Sequence, residues 1–292
     1  MNDFPITSKT ILVTGSNGQL GMELQQVATA FPSYEFLFTT KNDLPIDDFE
    51  LVRKYFFDRQ VDHCINCAAY TQVDKAESET EKAFLLNGEA VGNLARICRD
   101  HGTKFIHLSS DYVFDGTETT PYREDDRIAP INIYGQSKLR GEELAFNLNP
   151  FTTIIRTSWV YSSFGKNFVK TMLRLMKERD VINVVNDQYG CPTYAADIAH
   201  VIMLMVDHPE AVPGIYNYCN NGVTSWYDFA VSIKNIVHSN CSIQPVSSDQ
   251  YPVVAKRPKY SVLDTSKITN YLGITIPPWQ QSLQRCLKLL GS

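Results

Sequence analysis

Tyr134 and Lys138 stand four residues apart in the run Tyr134-Gly135-Gln136-Ser137-Lys138. On a helix that spacing puts both side chains on one face, one turn apart, so an ammonium can sit beside a phenol. A free phenol titrates near pH ~10, and lowering that by about three units for proton exchange at neutral pH takes about 4 kcal/mol of differential stabilisation. One cation about 4 Å away, at an effective dielectric near ~20, supplies roughly that amount. Upstream lie Ser109-Ser110-Asp111, two hydroxyls and a carboxylate closing an apolar stretch, and before them the loop Thr14-Gly15-Ser16-Asn17-Gly18-Gln19-Leu20-Gly21. A loop that can cradle a pyrophosphate, a hydroxyl that can hold a carbonyl oxygen and a phenolic proton donor together point to nicotinamide-dependent carbonyl chemistry.

Such groups converge only if a sheet carries them, and the first half of the chain has the required pattern. Short β-rich runs at Lys9–Thr14, Glu35–Thr39, His63–Asn66, Lys104–Ser110 and Thr152–Thr157 alternate with amphipathic stretches at Gln19–Phe31, Phe49–Arg59, Glu79–His101 and Ile133–Asn147. That alternation predicts a parallel sheet flanked by helices, an α/β Rossmann-like doubly wound fold. After Arg156 the alternation loosens, with helices expected at Asn167–Arg179, Ala195–Asp207, Ser225–His238 and Trp279–Leu290 and a further strand at Gly214–Tyr218. The expected division is a dinucleotide-binding domain over residues 1–160, completed by about 195–218, with a smaller, sequence-discontinuous substrate lobe from 161–194 and 219–292.

Composition narrows the function classes. A chain of 292 residues that is 43% hydrophobic and 20% charged can bury a sizeable core, and a net charge of -5 without a basic run argues against a nucleic-acid partner. No window of about 18 uninterrupted apolar residues suggests a membrane span, and Met1–Lys9 lacks the apolar stretch of a signal peptide, so a cytoplasmic protein is expected. The seven cysteines are odd in number and scattered, which speaks against a disulfide framework. Cys64 and Cys67 have redox-motif spacing but lie where a buried strand is expected, with residues three apart facing opposite sides, so they read as core residues.

At each strand end the residue types suit a ligand. Gly15, Gly18 and Gly21 follow Ile11-Leu12-Val13 and open a helix, permitting the tight turn and close backbone approach that a pyrophosphate needs. Strand two ends at Thr39-Thr40-Lys41-Asn42-Asp43, where Lys41 could meet a 2′-phosphate, favouring NADPH, or Asp43 could accept from a ribose hydroxyl, favouring NADH. Asn66-Cys67-Ala68-Ala69-Tyr70 supplies small residues where a cofactor would cross the sheet edge. Asn87, a poor helix former inside an expected helix, is either a solvent-facing residue or one that organises backbone near the site.

These residues resemble the extended short-chain dehydrogenase/reductases, and the longer pattern is similar to the dTDP-4-dehydrorhamnose reductase branch. The segments that carry it are Asn66–Thr71 with Val73–Glu77, Ser109–Gly116, Tyr134–Lys138, Arg156–Tyr161, Asn186–Thr193 and the late Arg257-Pro258 with Ser261. The resemblance implies reduction of the 4-keto group of dTDP-4-dehydro-L-rhamnose with hydride from NADPH or NADH. Tyr134 would act as acid, Lys138 would tune it and hold the nicotinamide ribose, and Ser110 would hold the keto oxygen. It implies a cofactor wall that also takes in Asn17, Gln19, Leu20, Ile46, Tyr70, Asn87, Leu108 and Ser109, and substrate contacts from Asp111, Trp159 and Arg257, the last on the diphosphate.

The match has departures. Ser110 stands where the family usually has threonine, and Leu44-Pro45-Ile46 replaces a Leu-Asp-Ile segment, removing a carboxylate near the adenine. Some members hold Mg²⁺ through glutamates at a homodimer interface, and only Glu23 has a counterpart here. Two other readings stay open at this point: a different nucleotide-sugar epimerase, dehydratase or ketoreductase, and a non-catalytic subunit like the one that regulates methionine adenosyltransferase. Dehydratases of the superfamily resemble a Thr-Asp-Glu arrangement, whereas Tyr112 follows Asp111 here.

Overall fold

The structure is a computed structural model that describes residues 8–209, 213–251 and 253–291. Most of the opening stretch Met1–Lys9 therefore lies outside the described residues. The elements run β1 (Thr10–Thr14), α1 (Gln19–Ala28), β2 (Glu35–Thr39), α2 (Phe49–Phe57), β3 (His63–Asn66), α3 (Val73–Ala76), α4 (Thr80–Phe84), a π-helical turn (Leu85–Glu89), α5 (Ala90–Asp100) and β4 (Lys104–Ser110). A 3-10 turn (Asp111–Val113) then leads to α6 (Ile133–Leu148), β5 (Thr153–Thr157), β6 (Val160–Tyr161), α7 (Phe168–Glu178), β7 (Val181–Val185), β8 (Tyr189–Gly190), β9 (Thr193–Tyr194) and α8 (Ala195–Asp207). The chain closes with β10 (Gly214–Asn217), β11 (Thr224–Ser225), α9 (Trp226–Ile236), β12 (Ser242–Val246), a 3-10 turn (Ser248–Gln250), α10 (Ser266–Leu272) and α11 (Trp279–Leu289).

Six strands form one parallel sheet in the order β10-β5-β4-β3-β1-β2. Ile11, Leu12 and Val13 have no exposed surface, which fits a strand covered by helices on both faces. One apolar cluster joins Ile11, Val13, Ile65 and Ile106 to Ile198, Ile202 and Val206 of α8; the other joins Leu12, Cys64 and Phe105 to Val91, Leu94 and Cys98 of α5. The strand order reverses between the neighbouring strands β1 and β3, and the carboxyl ends of β1, β3, β4 and β5 share one edge, the usual place for a ligand in such sheets.

A third cluster, of Tyr161, Val169, Met172, Ile182, Val184, Phe229, Ile233, Leu283 and Cys286, packs α7, α9 and α11 around the parallel pair β7 and β12. That pair, the two-residue ladders β6/β9 and β8/β11, and α10 had no clear sequence pattern. Their pairing is long-range, as between Val181 and Ser242, and short strands carry too few residues to display a period. The expected helix Glu79–His101 is interrupted at Leu85–Glu89 by the π-helical turn, which holds Asn87.

Candidate active site

The carboxyl edge of the sheet opens into a cleft of about 920 Å³. Its wall includes Gly15, Asn17, Gly18, Gln19, Leu20 and Gly21 from the loop after β1, Lys41 and Ile46 after β2, and Cys67, Ala68 and Ala69 after β3. Leu108, Ser109, Ser110 and Asp111 reach it from the end of β4, Tyr134 and Lys138 from α6, and Trp159 from the segment after β5. Residues far apart in the chain thus meet at one site because each follows a strand of the same sheet.

The loop after β1 is built for close approach. Gly15 has φ 66°, and a Cβ there would lie 2.6 Å from the backbone nitrogen of Ala68, so the β1 and β3 ends abut only with glycine. Helix α1 begins after Gly18 with no side-chain cap, and the first N–H groups of an uncapped helix are free for an anion. At the end of β2, the Asp43 carboxylate accepts from the backbone N–H and hydroxyl of Thr40 at 2.9 and 2.7 Å. Asp43 is thereby committed to its own turn, and the charged groups on the cleft wall there are the exposed Lys41 and Asp47.

Helix α6 starts at Asn132, whose Oδ1 accepts from the N–H of Gly135 at 2.7 Å. A Cβ at Gly135 would fall 2.1 Å from the carbonyl oxygen of Tyr112, so this glycine lets the helix start against the turn after β4. The contact sets Tyr134 edge-on to Tyr112, with ring centroids 5.6 Å apart. Ser110 donates to Asp111 Oδ1 at 3.0 Å and accepts from the Tyr112 N–H at 3.2 Å, while Asp111 Oδ2 is buried without a partner. Ser109 turns its hydroxyl to Glu142, which also forms a buried ion pair with Arg156 at 2.6 Å.

Desolvation controls the titration of this site. It pushes the Tyr134 phenol up to about 12; the Ser110 hydroxyl acts downward and the Asp111 carboxylate upward. Lys138 donates to the Leu108 carbonyl at 2.6 Å and contacts His107 Nε2 at 3.4 Å, and it is not among the groups that shift the phenol in the chain alone. Burial lowers Lys138 to about 8, with Glu142 and Cys67 acting the other way. Asp111 is raised to about 7 by burial, opposed by the hydroxyls of Ser261 and Ser110.

Three expected residues do not line the cleft. Asn87, fully buried, clamps Tyr70 behind it, accepting from its N–H at 2.8 Å and donating to its carbonyl at 3.0 Å and to Ser137 Oγ at 2.9 Å. Tyr70 itself is buried beside Ala76 and Ala83 rather than open to the cleft. The Arg257 guanidinium is engaged in a two-pronged pair with Asp74, at 3.1 and 2.8 Å. Helical spacing cannot reveal a partner so distant in sequence.

Several wall residues escaped the sequence reading, among them Asp47, Thr71, Lys82, Lys166 and Trp226. Trp226 stacks on Trp159 with ring centroids 3.5 Å apart and an interplanar angle of 7°, and both line the cleft. Trp159 holds a left-handed φ of 47°, uncommon for a bulky side chain. The Ser225-Trp226 junction, where Ser225 caps α9, was the available signal for a tryptophan at a helix start.

A family model described as the RmlD substrate binding domain matches residues 9–291. The chain belongs to the dTDP-4-dehydrorhamnose reductase family. Among relatives of this reductase-family chain, the spore coat polysaccharide biosynthesis protein SpsK of Bacillus subtilis is 42% identical over 279 residues, 95% of this chain and 96% of that protein. The dTDP-4-dehydrorhamnose reductase of Aggregatibacter actinomycetemcomitans is 39% identical, covering 94% of this chain and 97% of its own. A crystal structure of the dTDP-4-dehydrorhamnose reductase of Bacillus anthracis in complex with NADP superposes with a TM-score of 0.93 at 37% identity, covering 97% of this chain and all of the other.

The cleft fits the dinucleotide expected of a reductase-family chain: a glycine-bounded cradle, an uncapped helix start and a lysine at the end of β2. The residues do not fit Mg²⁺ in the same way. Glu23 is buried and accepts from Ser162 Oγ at 2.6 Å, and among the described residues no group of three or more His, Cys, Asp or Glu side chains is placed to hold a metal ion. No helix among them is long and apolar enough to cross a membrane.

Proposed function

We propose that this chain reduces the 4-keto group of dTDP-4-dehydro-L-rhamnose to give dTDP-L-rhamnose, using NADPH. The observation that carries the reading is the meeting of Ser110, Tyr134 and Lys138 on the wall of a cleft that also holds the glycine cradle. Asp43 is bonded to Thr40 and is not on the cleft wall, whereas Lys41 is, which supports a 2′-phosphate and hence NADPH over NADH. When bound, the reduced dinucleotide supplies the hydride that adds to C4.

Ser110 and Tyr134 hold the keto oxygen, and Tyr134 gives it the proton as negative charge develops there. A phenol kept near 12 is fully protonated at neutral pH, the form an acid catalyst needs, and it is still far more acidic than the alcohol it creates. Lys138 contributes a cation next to the reacting groups and, by family resemblance, binds the nicotinamide ribose. Trp159 and Trp226 form a flat apolar wall for the sugar or base, and residues 161–194 with 219–292 form the substrate lobe. Asp74 holds Arg257 near Tyr112, so any contact with the diphosphate would have to be shared with that pair. Seven free cysteines suit a cytoplasmic protein.

Tyr112 after Asp111 leaves no glutamate where a dehydratase would use one, and the intact Tyr134, Lys138 and Ser110 weigh against a purely regulatory subunit. The test is oxidation of NADPH by the purified chain with dTDP-4-dehydro-L-rhamnose. Tyr134→Phe should lower turnover roughly 100-fold or more while leaving the fold intact. Unchanged turnover in that variant would reject the proton-donor role, and no oxidation by the parent chain would reject the reductase.

A further inference from the structure

A buried polar row runs beneath the cleft, from Thr14 on β1 through Asn66 on β3 and His107 on β4 to Lys138 on α6. Thr14, Asn66 and His107 have no exposed surface, and Lys138 is 2% exposed. The orientation of the Asn66 amide is settled by two donors: its Oδ1 accepts from Thr14 Oγ1 at 2.7 Å and from the Ala68 N–H at 3.2 Å. The second of these is a main-chain N–H, which can only donate, so a turned amide would oppose donor to donor. Asn66 Nδ2 therefore faces His107 Nδ1, 3.0 Å away, and Nδ1 has to accept.

That single requirement fixes the imidazole. Its proton sits on Nε2, and the doubly protonated ring is excluded because an Nδ1–H would meet the Asn66 amino group. Nε2 in turn lies 3.4 Å from Lys138 Nζ. An ammonium has three donors and no acceptor, so the Nε2–H opposes it, whereas a neutral amine offers a lone pair to the same N–H. The Leu108 carbonyl, 2.6 Å from Nζ, accepts from either form.

We propose that His107 is a positioning residue for Lys138: locked as the Nε2–H tautomer, it favours the neutral amine and so sets the upper pH limit at which the active site keeps its cation. The inference rests on the reductase reading only for its consequence in activity, since the tautomer and the lysine charge belong to the free chain. The other groups facing Lys138 are Glu142 on its own helix and Cys67 at the end of β3, which favour the ammonium, and Tyr134 one turn earlier on α6. Phe105 stacks on the imidazole with centroids 6.2 Å apart and brings no charge. Burial and Lys138 both depress the basicity of His107, in keeping with a ring that stays neutral.

The test needs no substrate. In the full chain labelled with ¹⁵N-histidine, the resonances lost in His107→Gln identify His107, which should hold its proton on Nε2 and not titrate between about pH 6 and 9. A proton on Nδ1, or a titration in that range, would overturn the proposal. In chain labelled with ¹³C at the lysine ε-carbon, the Lys138 signal, identified by its loss in Lys138→Met, should titrate about one pH unit higher in His107→Gln, because an amide carbonyl can then accept from the ammonium. An unmoved titration in a folded His107→Gln variant would also overturn it. Should that variant fail to fold, the tautomer in the parent chain decides alone. The alkaline limb of NADPH oxidation should follow the lysine titration; a parent chain inactive at every pH would reject the reductase reading and leave the tautomer result standing.

Discussion

Asp111→Asn removes a carboxylate that the fold holds at a cost set by pH. Asp111 is 2% exposed with Oδ2 buried and unpartnered, and burial raises its carboxyl from 3.8 to about 7. For an acid raised on folding, the unfolded chain loses its proton first, so stability falls as pH rises from the unfolded value through the folded one. Integrating the two titrations gives a penalty of about 1.5 kcal/mol at pH 5 and about 4 kcal/mol at pH 8. Asparagine carries no such charge. Its own cost, an amide N–H in place of a carboxylate oxygen, is the same at both pH values. Relative to the parent chain, Asp111→Asn should therefore gain about 2.5 kcal/mol between pH 5 and pH 8. Urea unfolding of both chains without ligand, at the two pH values, measures this directly. A difference that does not change with pH would refute the claim that burial controls this carboxyl.

Other substitutions probe the supports of the site. Asn87→Ala removes three buried hydrogen bonds, two to the Tyr70 main chain and one to Ser137; at about 1 kcal/mol each, urea unfolding should show a loss of about 3 kcal/mol. Glu142→Ala strands the fully buried Arg156 guanidinium and should destabilise by about 3–5 kcal/mol, seen as a lower unfolding midpoint. Gly15→Ala sets a Cβ 2.6 Å from the Ala68 nitrogen at φ 66°, so NADPH affinity in a fluorescence titration should fall about tenfold or more. Trp226→Ala removes the partner of Trp159, and KM for the sugar nucleotide should rise with NADPH binding little changed.

Much of this architecture was legible because it depends on local pattern. The strands His63–Asn66 and Lys104–Ser110 and the helix Ala195–Asp207 have the boundaries that their apolar runs and flanking polar residues predict. The glycine spacing placed the loop after β1, and the interval between Tyr134 and Lys138 placed both on one side of α6 and on the cleft wall. Each of these follows from a repeat of about two or 3.6 residues and from which residues tolerate a turn. Local information of this kind survives whatever the remote chain does.

What packing alone decided is the direction and partnership of charged and polar side chains. Lys138 aims at the end of β4 and leaves the phenol under the control of burial and Ser110. Arg257 meets an aspartate 183 positions away, Asn87 serves the Tyr70 backbone, and Trp226 arrives beside Trp159 from another part of the chain. A spacing specifies which residues share a face, but the electrostatics of that face are set by whatever the rest of the chain buries against it. In a low-dielectric interior one neighbour can reverse the direction of a titration.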